Sequence, residues 1–367
     1  MSSDVFLASV RAKRGDSLLE KVEKLFDQVG FNAIVQSKDL VAIKLHFGEK
    51  GNTAYIRPQF IRRIVNKVKA QGGKPFLTDS NTLYVGSRSN AVDHLQTAIE
   101  NGFAYAVVDA PLIIADGLSG QDFERVEINL KHFKDVKISS VGVHADALIA
   151  VSHFKGHAAT GFGGTIKNLG MGLGSRSGKQ MMHSDVLPKV NQNKCLGCGK
   201  CTKYCPENTI TMEEGKALII EGKCIGCGEC TAICPVYAVD INWKTDADTI
   251  QEKMVEYVYG VLKNKQGKAG FINFVTDVSP DCDCCGWNDA PVVGDIGILA
   301  STDPIALDQA CADLVNQAQP LKESLLGSQS SETDKFRALY PAVDWTIQLA
   351  YGEKIGLGSR KYNLRKI

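Results

Sequence analysis

The chain has 367 residues, 44% of them apolar and 23% charged, with 42 lysines and arginines against 41 aspartates and glutamates. A net charge of +1 supplies no polyanion-seeking field, which argues against nucleic acid as the main partner, and the apolar fraction excludes a disordered or fibrous chain. No run of 18 apolar residues predicts a membrane span, and the start MSSDVFLASVRAKRGDS lacks a secretory apolar stretch, so a cytoplasmic protein of two or three domains is expected.

In chain order, Ser17 opens a helical pattern through Leu18, Val22, Leu25, Phe26 and Val29, closed by Gly30. Leu40–Leu45 predicts a strand running into His46, and 60–70 (FIRRIVNKVKA) an amphipathic helix ended by Gly72-Gly73. Further β-rich apolar runs follow at Pro75–Thr78, Ala106–Val108, Leu112–Ala115 and Ala147–Val151, then at Phe271–Thr276 and Ile296–Ala300. Such runs alternating with helices predict an α/β host: a mainly parallel sheet covered by helices. They lead into Asp79, Asp109, Asp116, His153, Asp277 and Asp303. In open parallel sheets ligands bind beyond the carboxyl ends of the strands, so a cleft is expected at this edge; taken singly, an aspartate there also reads as a helix cap or turn former.

Between the two halves of this pattern lies a dense segment: His153, Lys155 and His157, then seven glycines from Gly161 to Gly178, including Gly163 and Gly164, interleaved with Lys167, Arg176 and Lys179, then His183. Glycine permits close backbone approach, so the stretch reads as a loop aiming N–H groups at an anion, with the cations adding charge. A partly dry Lys167 would serve as acid, base or attachment point; an exposed one would only bind anions. Neither a P-loop nor a G-x-G-x-x-G is present, so nucleotide binding is unsupported. A plain surface loop is the bland alternative.

Eight of the 12 cysteines fall within forty residues. Cys195, Cys198, Cys201 and Cys205 form C-x2-C-x2-C-x3-C followed by Pro206; Cys224, Cys227, Cys230 and Cys234, followed by Pro235, repeat it at an offset of 29. This is the spacing of a bacterial two-cluster [4Fe–4S] ferredoxin, in which the fourth cysteine of each run ligates the other cluster. Cluster one then takes Cys195, Cys198, Cys201 and Cys234; cluster two takes Cys224, Cys227, Cys230 and Cys205. Zinc knuckles and disulfides are the alternatives, and zinc sites favour paired C-x2-4-C arms over two identical four-cysteine runs. A hairpin of Thr209–Met212 and Ala217–Glu221, echoed by Ala238–Asn242, suits a small α+β ferredoxin-like module at 191–243, inserted between host parts 1–190 and 244–367.

Of the remaining cysteines, Cys282, Cys284 and Cys285 crowd one turn and read either as a metal or redox site or as a reduced structural turn, whereas Cys311 lies on a buried helical face, Ile305–Val315. Asp281 and Asp283 oppose thiolate formation there unless a cation is near.

Taken together, Lys44-Leu-His-Phe-Gly48, Thr78-Asp-Ser80, the GFGGTIKNLGMG core, both cysteine runs and Pro280 to Gly286 leading to Asp295–Asp308 resemble the DUF362 family of iron–sulfur proteins. The resemblance covers nearly the whole chain, implies electron-transfer chemistry of a reductase kind, and names no substrate. In addition, His157, Gly163-Gly164, Lys167 and His183 are similar to the His…GG-x-x-Lys…His spacing of the nickel-pincer lactate racemase family, as is Arg57-Pro58 to its Arg-Pro. In that family the lysine carries an organonickel cofactor and the histidines act as ligand or acid/base. This chain lacks the Pro-Gly after the lysine segment and the histidine after the second strand, so a shared fold is expected rather than a shared cofactor.

Two functions follow. In the first, two [4Fe–4S] clusters feed electrons to a small anionic substrate or second cofactor in the host cleft, at His46, His153, His157, Lys167 and His183. In the second, the chain is an electron carrier whose host docks a redox partner, a ferredoxin or reductase. An iron–sulfur sensor is a weaker third class, since no DNA-binding element or basic face stands out.

Overall fold

The apolar runs assemble into one eight-stranded sheet. In the computed structural model, which describes residues 2–84, 86–183, 187–224, 226–240, 246–327 and 333–367, its strands are β1 (Ser3–Ser9), β2 (Leu40–Lys44), β3 (Lys74–Asp79), β4 (Leu112–Ile114), β5 (Ala147–His153), β6 (Ala269–Val275), β7 (Gly297–Ser301) and β8 (Tyr362–Lys366). Their spatial order is β8-β1-β7-β6-β5-β2-β3-β4. All run one way except β7, which is antiparallel to both neighbours. The mainly parallel α/β host is therefore present.

The central strand β5 is buried along its whole length, because helices cover both faces. Ala147, Ile149 and Val151 point to one side, with Val41 and Ile43, against α1 (Leu18–Gln28) and α2 (Pro58–Ala70). Leu148 and Ala150 point to the other, where α3 (Thr165–Leu173), α5 (Ala247–Leu262) and α6 (Pro304–Gln317) pack. Between α3 and α5 comes α4 (Arg176–His183). Ser17 and Glu20 form a reciprocal capping box on α1.

Three sequence expectations change. Ala106–Val108 is not a strand but part of a short helix, Tyr105–Val108. The Ala106 and Val107 carbonyls accept from the Arg62 guanidinium at 3.3 and 2.9 Å, which satisfies them without a sheet partner. The strand near Ile296–Ala300 exists but runs antiparallel, so Asp303 lies at the opposite sheet edge and caps α6 through the Ile305 and Ala306 amides. The glycine-rich stretch is not an anion-binding loop: Gly161–Gly163 pairs as a strand with Lys155–His157, and the rest forms α3 and α4. The parallel pair β1 and β8 at one side of the sheet and the 16-residue α5 had no counterpart in the sequence reading.

The glycines serve packing. The first two amides of α3 donate to an internal anion, with Thr165 N 2.8 Å from Asp308 Oδ1 and Ile166 N 2.9 Å from Oδ2, while Asn273 Nδ2 donates to Oδ1 at 2.7 Å. A Cβ on Gly164 would stand 2.5 Å from that Oδ1 and 2.9 Å from Phe154. Gly164→Ala is expected to destabilise the fold by about 1–3 kcal/mol through overpacking. Gly294→Ala, in open space, should stay within about 0.5 kcal/mol; paired urea titrations check the contrast.

Candidate functional site

The carboxyl ends of β2, β3 and β5 open into a cleft of about 1410 Å³ including its mouth. Lys44 and His46 come from the end of β2, Asp79 and Ser80 from β3, and His153 and Lys155 from β5 and its extension; α3 contributes Lys167, and α4 contributes Lys179 and His183. His157 and Cys284, also candidates from the sequence, line it too, and Leu83, Met171 and Ile250 add apolar surface.

Most ionisable groups here are buried and partnered. Asp79 accepts from Lys44 Nζ at 2.9 Å and from Arg88 Nη1 at 3.3 Å, and Arg88 also reaches Glu49 Oε2 at 3.2 Å and Tyr84 Oη at 2.6 Å. Burial alone would raise the Asp79 carboxyl; the cations against it, Lys44 first and then Arg88, outweigh this and hold it well below the usual range. On the opposite wall Asp283 accepts from Lys155 Nζ at 3.1 Å and stands 2.7 Å from His153 Nδ1. His153 Nε2 faces the carbonyls of Thr276 and Asp277 at 3.0 and 3.1 Å, so both ring nitrogens are engaged and the residue is a strut of the wall.

The other histidines are held neutral. Burial, then neighbouring cations, keeps His46 and His157 well below the ordinary imidazole value and brings His183 down to about 4. The Gly48 amide donates to His46 Nδ1 at 3.0 Å and the Ala159 amide to His157 Nδ1 at 3.2 Å, so both rings carry their proton on Nε2. His183 is the reverse tautomer: Nδ1 faces the Lys179 carbonyl at 2.8 Å, leaving the lone pair on Nε2.

Lys167 Nζ donates to Cys282 Sγ at 3.1 Å, and Lys179 Nζ to Ser80 Oγ at 2.8 Å and the Gly174 carbonyl at 2.6 Å. The Cys284 amide also donates to Cys282 Sγ. Hydrogen bonding to Cys284 and burial push the Cys282 thiol far up.

Some sequence candidates lie elsewhere. Cys282 sits one layer behind the wall, and Cys285 outside the cleft lining. Gly163 lies against the Lys167 stem and Gly164 against Asp308. Arg176 leaves the cleft altogether, donating to the Ala232 carbonyl at 2.8 Å and stacking over Tyr237 at 5.7 Å. Asp109 pairs with Lys69 and Asp277 with Arg57, both at the surface. Arg88, Tyr84 and Glu49 were missed by sequence reasoning. The signal was their position in the loops after β2 and β3, where an arginine ordinarily reads as solvated, yet Arg88 is only 1% exposed.

The cysteine runs form two hollows of about 320 and 350 Å³. Cys205, Cys224, Cys227 and Cys230 line the first; Cys195, Cys198, Cys201 and Cys234 line the second. These are the exchanged quartets expected from the spacing. The 29-residue repeat holds in the backbone: Gly197/Gly226, Gly199/Gly228 and Asn208/Tyr237 all take positive φ, and the helices Lys200–Tyr204 and Glu229–Ile233 correspond. The amide four residues on donates to the last sulfur of each run, Thr209 to Cys205 at 3.3 Å and Ala238 to Cys234 at 3.1 Å. Among the described residues no three His, Cys, Asp or Glu side chains gather tightly enough for a single metal ion. The hairpin is Ile210–Glu213 with Lys216–Ile219, while Val239–Asp240 pairs with Lys189–Val190; the rest of the expected strand through Asn242, and the module end at Trp243, lie outside the described residues. The segment rests on α4, with Gly228 against Gln180 and the Ser177 carbonyl, and Lys137 Nζ 2.6 Å from Glu229.

An α/β sheet with a polar cleft at its carboxyl edge and a doubled cysteine segment beside it defines the class. The chain belongs to the family described as Domain of unknown function (DUF362), whose model matches residues 41–313. Two solved structures are similar over part of the chain. One is the lactate racemase apoprotein from Thermoanaerobacterium thermosaccharolyticum, at 16% identity and a TM-score of 0.38, covering 74% of this chain and 51% of that one. The other is a structural-genomics protein from Thermotoga maritima, at 9% identity and a TM-score of 0.38, covering 70% and 49%. The chain thus spans about half the length of these structures. No curated protein matches. Among the described residues no helix is long and apolar enough to cross a membrane.

The neutral histidines set a pH dependence. His94, fully buried beside Asp79, is brought down to about 3 by burial, and His183 to about 4. Because these folded values lie below the free value of 6.5, the native state binds fewer protons than the unfolded one. Stability is complete above pH 6.5 and is lost as pH falls through that window toward 4. His94→Gln should flatten this loss, measured as the urea midpoint of variant and wild type at steps between pH 7 and 4.

Proposed function

We propose that the chain is a ferredoxin-type oxidoreductase: electrons from two [4Fe–4S] clusters reach an anionic substrate or second cofactor in the cleft. The observation that carries this reading is the pair of exchanged cysteine quartets, each enclosing its own hollow, on a segment docked against the helix whose other residues line the cleft. When bound, the clusters supply one-electron reducing equivalents. Cys195, Cys198, Cys201 and Cys234 would hold one, and Cys205, Cys224, Cys227 and Cys230 the other. The amides of Thr209 and Ala238 point at sulfur and would stabilise its negative charge.

The host supplies binding and proton handling. Lys167 and Lys179 attract an anion. His46 and His157 present Nε2–H donors to a bound group. Helix α4 joins the two regions: Gln180 abuts Gly228 of the second quartet's loop, and Lys179 and His183 face the cleft. A carrier would need only an apolar docking face. A deep cleft walled by buried ionisable groups favours a reductase, and the redox partner would meet the other hollow, where Leu196 is 70% exposed. Such chemistry suits a reducing, cytoplasmic setting.

Anaerobically purified protein is expected to hold about eight irons per chain, the content of two cubanes, with two EPR signals on reduction. Cys234→Ser should weaken the same signal as Cys201→Ser, and Cys205→Ser the same as Cys230→Ser. One or two zinc ions in place of iron would end this reading.

A further inference from the structure

Three thiols of one turn have no part in the reading above. Cys282, Cys284 and Cys285 stand on a turn closed by the Cys285 amide, which donates to the Cys282 carbonyl at 2.9 Å. Neighbouring elements clamp its backbone: the Gly156 amide donates to the Ser279 carbonyl at 2.8 Å, the Glu49 amide to the Asp283 carbonyl at 2.9 Å, and Asn52 Nδ2 to the Trp287 carbonyl at 2.9 Å. Asp283 is engaged with His153 and Lys155. The sulfurs on either side of it are engaged with each other, for the Cys284 thiol is hydrogen-bonded to that of Cys282 and also to that of Cys285. The Cys284 amide lies 3.4 Å from Cys282 Sγ, and Lys167 Nζ 3.1 Å from the same atom. The sulfurs form a series rather than a cage: among the described residues no three such side chains gather tightly enough for a single metal ion.

Geometry selects one pair from the series. A disulfide needs Cα atoms about 4.4–6.8 Å apart, which residues two apart on a turn meet, whereas adjacent residues stand only about 3.8 Å apart. Of the two sulfur contacts, Cys282–Cys284 is therefore the one that can close. Access sorts their roles: Cys284 lines the cleft with Lys167, and buried Cys282 stands behind it. We propose that Cys282 and Cys284 form a redox dithiol that reduces a disulfide-bearing substrate in the cleft. The Cys284 sulfur attacks one sulfur of the substrate S–S bond and expels the other as a thiol. The Cys282 sulfur then attacks Cys284 in the mixed disulfide and expels the second thiol, so the two protons of the dithiol leave on the products and a Cys282–Cys284 bond remains. One electron from each cluster and two protons from solvent reopen that bond. Hydrogen bonding to Cys284 and burial push the Cys282 thiol up; the bond to Cys282 lowers the Cys284 thiol, but the bond to Cys285 and burial prevail. Thiolates left unstabilised in this way make a reducing pair, the opposite of a strong oxidant whose reduced form is stabilised. The proposal deepens the reading above by naming the substrate class, and it rests on that reading for its electron source alone.

The test is alkylation of the full-length holoprotein, equilibrated anaerobically in glutathione buffers from fully reduced to fully oxidised and quenched with iodoacetamide in denaturant. Peptide mass spectrometry is expected to pass from alkylation of all three cysteines to alkylation of Cys285 alone. Cys285→Ser should keep this response, while Cys282→Ser and Cys284→Ser should lose it, with iron content and circular dichroism unchanged. Dithionite-reduced protein mixed with oxidised glutathione should release glutathione thiol, and Cys284→Ser should lose that release. Alkylation of all three cysteines in fully oxidised buffer overturns the proposal. So does loss of the response in Cys285→Ser, which makes Cys285 a member of the pair, or release of zinc as the turn is alkylated. Iron analysis of the same samples separates the two failures. Closure of Cys282–Cys284 in protein without iron leaves the dithiol standing and removes the clusters as its source; about eight irons per chain with all three thiols alkylated removes only the dithiol.

Discussion

The carboxylate of Asp308 is the keystone of the cleft. It comes from α6 and takes the first two amides of α3, supplying from inside the protein the anion that a helix N-terminus attracts. Burial outweighs these hydrogen bonds and lifts its carboxyl to about 6, so the cap is a demanding arrangement held by its surroundings. Gly164 is glycine because this oxygen occupies the space of its Cβ. Everything that α3 presents to the cleft depends on that grip.

From the anchored helix two side chains do the positioning. Asn168 accepts from Lys44 Nζ at 2.7 Å and donates to the Val151 carbonyl and Ser152 Oγ, tying α3 to the ends of β2 and β5. Lys167, one residue earlier, faces the Cys282 turn. That turn is pinned from behind, because Asp283 pairs with Lys155 and its carbonyl accepts from the Glu49 amide. Glu49 in turn holds Arg88, which holds Asp79. The cleft is thus a closed circuit of charge, and burial, with that positive charge behind it, keeps His46, His157 and His183 neutral.

Much of this was legible beforehand. The strands around His46, Asp79 and His153 were readable because a strand buried on both faces has to be continuously apolar, and the polar residue after it marks the sheet edge. The cysteine quartets were readable because a gapless repeat of 29 residues admits few geometries. Arg88 and Glu49 were not, since a charged residue in a loop looks solvated until the loop is seen folded inward. Arg176 misled for the opposite reason: its neighbours in sequence line the cleft, but helical rotation turns it toward Tyr237. Ala106–Val108 misled because three apolar residues suit a strand or a helical turn equally, and the Arg62 guanidinium decided the matter.

The sequence by itself determined the local chemistry: which segments bury both faces, which cysteines share a hollow, where glycine and histidine gather. These follow from periodicity and spacing, which are short-range. The tertiary structure alone decided the antiparallel sense of β7, which removes Asp303 from the cleft edge, and the meeting of Gly164 with Asp308 across more than a hundred residues. It also decided that Lys44, Arg88 and Lys155 end up against carboxylates, whereas Lys167 meets a sulfur and Lys179 a hydroxyl and a carbonyl. Counter-charge is a property of distance in space, and a near-neutral chain carries no trace of which of its cations will be buried, or against what.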